Sequence, residues 1–227
     1  MLGWVSMSQH GGIKMVRRLS RLDALLTVAD QLLRPGLDHG ADQVRPGEGG
    51  LVPQGRLTAA ESRCSVRLMR VNHAGEVCAQ GLYHGQALMA HDLQWRETLL
   101  RAAGEEQHHL HWCAARLRQL DASPSLLAPF WYGSSVALGA AVGMLGDGPS
   151  KAFLRETEDQ VVDHLEGHLA RLPAQDMASR HILQRMVRDE AAHSATAAKL
   201  GGRKPAWGVR LAMWGMARFM TTTTAHL

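Results

Sequence analysis

The chain of 227 residues is poor in the features that mark several protein classes. It has three cysteines, Cys64, Cys78 and Cys113, and no CxxC pair, which excludes a disulfide framework and a zinc ribbon. Aromatic residues are only 5%. No GxGxxG motif follows a strand pattern, so no tight dinucleotide domain is expected. Alternating strand patterns of useful length are missing, as is a solenoid repeat. The N-terminus lacks the basic-then-apolar pattern of a signal peptide, so the protein is expected on the cytoplasmic side. The net charge of +4 is too small for a nucleic-acid stripe, so no nucleic-acid partner is expected, whereas an anionic membrane surface would suit it. Hydrophobic residues at 45% and charged residues at 20% are ordinary for a globular core. What is abundant is histidine, thirteen in all, which raises the question of a metal.

Helical periodicity fills the chain. Residues 1–14 read as disordered, and Leu19, Leu22, Leu26, Ala29 and Leu33 give a helix over about 16–33, stopped by Pro35 and Gly36. Residues 35–56, with three prolines and six glycines, read as a loop. Residues 1–56 are therefore an N-terminal extension and 57–227 a helical bundle. Thr58 with Glu61 is a capping box that opens a helix to about Ala90. Further helices are expected at about 94–120, 126–145, 150–171, from Pro173 and Asp176 to near Leu200, and 205–220, with Thr221–Thr224 as a frayed tail. The class is all-α, an antiparallel bundle.

Four glutamates lie on apolar stripes. A helix turns about 100° per residue, so positions 3, 4, 7 and 11 apart share a face. Glu76 shares one with Met69, Tyr83, Ala87 and Ala90. Glu106 lies among Leu99, Ala103, Leu110, Cys113 and Leu117. Glu158 falls among Leu154, Val162, Leu165 and Leu169, and Glu190 among Leu183, Met186, Val187 and Ala197. An unpaired buried carboxylate costs several kcal/mol or takes up a proton. Two divalent ions would neutralise all four. Glu106 and Glu190 each carry a histidine three residues on, His109 and His193, which can serve the same metal. The alternative register, Glu105 with His108, turns His108 towards solvent. The order Glu, ExxH, Glu, ExxH is the ligand set of ferritin-like di-metal bundles. Four carboxylates and two imidazoles favour two iron ions over zinc.

The motifs then carry a resemblance. LMRVNHAGEVCAQGLYHGQAL (68–88), EEQHHLHWCAARL (105–117), SPSLLAPFWYGSSVALGAAVGMLGD (123–147), ETEDQVVDHLEGHL (156–169) and MVRDEAAH (186–193) resemble, in order, the demethoxyubiquinone hydroxylase family, its bacterial members above all. The resemblance implies a ferritin-like di-iron monooxygenase that works without a flavin. Glu76, Glu106 and His109 would serve one iron, and Glu158, Glu190 and His193 the other. Glu106 and Glu190 would be the bridges. It also implies the reaction. With O₂, the ring of a polyprenylated methoxy-methyl-benzoquinol is hydroxylated late in ubiquinone biosynthesis, possible accessory proteins of that pathway assisting. The electrons come from the quinol or from NADH.

Other residues are assigned by the same arithmetic. His164, six residues after Glu158, is either a hydrogen-bond partner to a ligand or substrate or a helix-flank residue. Tyr83 packs in the core or lines the cavity. His73, His91, His111 and His168 go to surfaces or helix flanks. A prenylated substrate requires a membrane, so the protein is expected as a peripheral protein of the cell membrane. Residues 126–145 hold Pro129, three glycines and two serines and fit a buried or interfacial helix better than a span. In 206–220, Trp207, Leu211 and Trp214 share a side, with Arg210 and Arg218 on or beside it, and Val209, Met213, Met216 and Met220 lie opposite. That pattern suits a bilayer interface, the alternative being a Met face packed on the bundle. Three other readings compete: a ferritin- or rubrerythrin-like iron or peroxide handler, a non-enzymatic quinone-binding module, and a tRNA hydroxylase on a similar bundle, which would call for a clearer basic patch.

Overall fold

The computed structural model describes residues 56–225. The expected helix at 16–33 and almost all of the 35–56 loop lie outside the described residues, as does the boundary they would draw. Six helices follow one another: α1 (Ala59–Met89), α2 (Leu93–Gln119), α3 (Ala128–Met144), α4 (Asp147–Arg171), α5 (Met177–Lys199) and α6 (Trp207–Thr224). Among the described residues there is no strand. The expected all-α architecture is what is found.

Local chemistry sets the ends. The Thr58 hydroxyl accepts from Glu61 N, and the Glu61 carboxylate accepts from Thr58 N at 2.8 Å, closing the capping box of α1. Asp92 caps α2 by accepting from Gln94 N. Gly146, at φ +106, turns the chain into α4. That helix starts at Asp147, earlier than the expected 150, because a proline is tolerated in the first turn. Asp147 also accepts from His91 N and Asp92 N at 3.1 and 2.9 Å, fixing the α1–α2 turn to the start of α4. Asp176 caps α5 and, fully buried, receives Arg116 Nη2 of α2 at 2.8 Å.

The hairpins α1–α2 and α4–α5 form the four-helix bundle. The two outer helices lie against one side of it, α3 along α1 and α6 across α1 and α4. The α1–α3 contact runs backbone to backbone. A methyl group added at Gly85 would fall 2.2 Å from Val136 O, and one at Gly139 would fall 2.2 Å from Leu82 O. Gly81 and Gly143 are nearly as tight, at 2.7 Å from Tyr132 O and Met89 Cβ. Glycines four apart on each helix thus make one seam.

Packing around α1 corrects the expectations for His73 and His168. His73 and His168 are buried, not on surfaces. His168 Nδ1 meets Asn72 Oδ1 of α1 at 2.7 Å. Burial drives both imidazoles towards the neutral form, His73 to about 4 and His168 to about 3. Thr221–Thr224 is a continuation of α6 rather than a frayed tail, with Thr224 buried. Among the described residues no helix is long and apolar enough to cross a membrane, so 126–145 does not span one.

Candidate metal centre

The four bundle helices each turn one glutamate inward, into one buried cluster. Glu76 of α1, Glu106 of α2, Glu158 of α4 and Glu190 of α5 are at most 3% exposed. His109 and His193 join them, and the six form two overlapping groups. One is Glu76, Glu106, His109 and Glu190; the other is Glu106, Glu158, Glu190 and His193. Within each group the ligand atoms lie within 4.8 Å of one another. Glu106 and Glu190 belong to both, the position expected of the bridging pair.

Both imidazoles face the cluster through Nδ1. His109 Nδ1 is 3.0 Å from Glu106 Oε2, 3.0 Å from Glu190 Oε1 and 3.4 Å from Glu76 Oε2. His193 Nδ1 is 3.1 Å from Glu190 Oε2, 3.4 Å from Glu106 Oε1 and 3.9 Å from Glu158 Oε1. The opposite ring nitrogens find carboxylates that the sequence reading missed. His109 Nε2 lies 3.4 Å from Asp189 Oδ2 of α5, and His193 Nε2 lies 2.6 Å from Glu105 Oε2 of α2. The two contacts are reciprocal across the α2–α5 pair, and each fixes an imidazole's tautomer and orientation. The signal was present: an acidic residue precedes the glutamate of both ExxH motifs. Glu105 is thus not a ligand of the competing register but a partner of the opposite helix, while His108 is exposed as expected.

Tyr83 is the second addition. It is fully buried and its hydroxyl donates to Glu158 Oε1. His164 makes no described contact with the six residues. Its ring packs on His168 at 3.9 Å between centroids, and His168 holds Asn72, one turn before Glu76. The pairs Tyr83–Glu158 and Asn72–His168 show α1 and α4 running antiparallel, in a register that brings residues 164–165 level with Glu76.

Electrostatics separates three of the carboxylates, Glu106, Glu158 and Glu190. Burial and then the Glu190 charge hold Glu106 well above the usual carboxylate range. Burial, followed by the charges of Glu190 and Glu106, does the same for Glu158. Burial also penalises the charged form of Glu190, but hydrogen bonds from His109 and His193 outweigh it and hold Glu190 near 2. Glu106 Oε1 and Glu158 Oε2 are buried and accept no hydrogen bond. A polar pocket with unfilled acceptors and too much negative charge fits divalent cations, which supply the missing partners.

A groove of about 480 Å³ between α2 and α5 reaches His109 and His193 past Glu105 and Asp189, with Arg101 and Arg185 at its walls.

Known proteins resemble this chain in fold and in sequence. A structure of the bacterioferritin-related protein of Bacteroides fragilis, a dodecameric thioferritin, superposes with a TM-score of 0.52 at 15% identity, covering 61% of this chain and 84% of that one. It shows that the fold is ferritin-like. In sequence, the 3-demethoxyubiquinol 3-hydroxylase of Nitrosococcus oceani is 45% identical over 209 residues, covering 91% of this chain and 97% of its own. The protein of the same name from Pseudomonas aeruginosa is 44% identical over 93% of this chain and 98% of its own. That from Acinetobacter baumannii is 43% identical over 93% and 100%. Residues 63–224, from the first turns of α1 to the last residue of α6, match the family described as ubiquinone biosynthesis protein COQ7. With the match running through every described helix, this chain belongs to the COQ7 family.

Proposed function

We propose that this chain is a 3-demethoxyubiquinol 3-hydroxylase, a di-iron monooxygenase that adds one oxygen atom of O₂ to the ring of a polyprenylated quinol. The observation that carries this reading is the pair of overlapping Glu/His groups, found in a chain whose relatives bear that name. Glu76, Glu106 and His109 would hold one iron, Glu158, Glu190 and His193 the other, with Glu106 and Glu190 shared. Two irons so held would supply the reduction of O₂ and the transfer of an oxygen atom. The remaining residues prepare the site. Asp189 and Glu105 keep the Nδ1 atoms of His109 and His193 facing inward. The Tyr83 hydroxyl occupies Glu158 Oε1 and leaves Oε2 for a metal. Leu99, Ala103, Leu154 and Tyr83 belong to one buried apolar cluster beside the six residues.

The proposal includes a peripheral place on the cytoplasmic side of the cell membrane. Three facts support contact with a membrane surface. α3 carries no charged residue. Leu126, Phe130, Met144 and Leu145 are exposed on or beside it. On α6, Trp207, Leu211 and Trp214 are exposed, while Met213 packs inward. Aromatic and apolar side chains flanked by arginine suit the headgroup level of a bilayer.

A lipid extract tests the function. Cells lacking the gene should accumulate the demethoxy quinone precursor and lose ubiquinone, and the wild-type gene should reverse this. A Glu190→Ala variant that is folded by circular dichroism should not. Normal ubiquinone in the deletion strain would refute the assignment.

A further inference from the structure

α6 is held to the bundle at few points. Of its 18 residues only Met213 and Thr224 are buried. Met213 enters the cluster formed by Leu82 and Tyr83 of α1 with Phe153 and Leu154 of α4. That cluster fills the seam between the two hairpins. Tyr83 belongs to it and at the same time bonds Glu158. Near Met213, Arg210 Nε lies 2.9 Å from Glu156 Oε2 of α4, and Gln160 Nε2 donates to Glu156 Oε1 at 2.9 Å. Glu156 is buried. The chain leading into α6 is anchored. Arg155 Nη1 donates to Gly202 O at 3.0 Å, and Lys204 Nζ lies 3.2 Å from Asp159 Oδ2. Beyond that anchor, the first half of α6 is fixed by one apolar plug, one ion pair and a hydrogen bond from Gln160 Nε2 to Arg210 O at 3.4 Å.

We infer that the quinol ring reaches the carboxylate cluster through the α1–α4 seam beneath α6, with Met213 as the plug and Arg210–Glu156 as the latch, and that a bilayer opens this route. The inference rests on the hydroxylase reading and names the path its substrate takes. In water the route is shut, because lifting α6 exposes Met213 and leaves the buried Glu156 without its cation. At a bilayer the outer face of α6 sinks into the acyl boundary, Met213 exchanges protein for lipid rather than for water, and Arg210 meets lipid phosphates. The cost of opening therefore falls where the substrate resides. The groove between α2 and α5 offers a poor alternative for a prenylated ring. Ala102, Trp112, Leu154 and Ala197 line part of it, but Arg101, Glu105, His108, Arg185 and Asp189 line it too, and an apolar tail would have to strip these of water.

A tail-less, water-soluble quinol separates opening from lipid solubility. With the iron-loaded full chain, its turnover should rise several-fold when vesicles of phosphatidylethanolamine and phosphatidylglycerol are added. Arg210→Ala and Met213→Ala should each raise the vesicle-free rate towards the vesicle-bound one. A short reducible cross-link between cysteines placed at Glu156 and Arg210 should abolish the vesicle effect, and reduction should restore it in the same protein, which a misfolded variant would not do. Thr196→Trp, which narrows the α2–α5 groove, should leave the rates unchanged. Turnover indifferent to vesicles and cross-link, or blocked by Thr196→Trp, would overturn the route while leaving the hydroxylase reading intact. No hydroxylated product from wild type with any quinol would overturn both.

Discussion

Glu106, Glu158 and Glu190 share one pocket but not one protonation state. Burial and mutual repulsion raise Glu106 and Glu158, while His109 and His193 hold Glu190 near 2. The metal-free protein therefore keeps protons on Glu106 and Glu158 that a divalent ion must displace. The sign follows from linkage. A carboxylate raised above its unfolded value, 4.5 here, contributes stability that is present below that value and lost as pH rises through the folded one. Bound metal cancels that loss. The rise in Tm on adding metal should accordingly grow between about pH 5 and pH 8. His73 and His84, both lowered to about 4 by burial, act oppositely. Their neutral forms are favoured in the fold, so stability falls as pH drops below about 6.5. They do so with or without metal and cancel in the difference. Differential scanning fluorimetry with anaerobic Fe²⁺ gives the measurement; a gain that shrinks with rising pH would contradict this protonation pattern.

Among the elements, α1 is the one that the sequence under-describes. Stripes of large apolar residues announced α1, α2, α4 and α5 and put Glu76, Glu106, Glu158 and Glu190 on their inner faces, because a periodic side-chain pattern is what a single buried face leaves behind. The second buried face of α1 leaves no such pattern, since α1 and α3 meet at Gly81, Gly85, Gly139 and Gly143, which have no side chains. A helical wheel with one buried side consequently sent His73 outward, while His168, on α4, is held inward by Asn72 of α1. Contacts between helices were equally invisible: Asp189 on His109, Glu105 on His193 and Tyr83 on Glu158 join residues 75 to 88 positions apart. The glycine seam can be checked directly. Gly85→Ala and Gly139→Ala should each cost about 1–3 kcal/mol or more, as overpacking does. Gly167→Ala, on the exposed side of α4 with nothing within 4 Å, should stabilise by up to ~1 kcal/mol through helix propensity alone. Urea midpoints for the three variants decide it: a neutral Gly85→Ala would mean that α1 and α3 do not touch through their backbones.

At the scale of the whole molecule the two seams between the hairpins differ in character. The α2–α5 seam opens as a charged groove. The α1–α4 side carries α3 and α6, joined by the Trp131–Phe219 ring contact at 6.1 Å, and presents apolar surface. A bilayer should therefore bind one side only. Trp207, Leu211 and Trp214 are 77%, 52% and 56% exposed, so replacing them with serine removes little packing within the protein. Full burial of such side chains in an apolar phase is worth about 1.5–3 kcal/mol each. Even half of that would lower vesicle partitioning by roughly threefold to tenfold per residue. The triple variant Trp207→Ser, Leu211→Ser, Trp214→Ser should thus stop co-sedimenting with vesicles while keeping its thermal transition. Arg101→Ser on the groove side should sediment as wild type does. If the triple variant still binds and Arg101→Ser does not, the charged groove is the face that meets the membrane, and the substrate would have to approach the imidazoles of His109 and His193 rather than Tyr83 and Glu158.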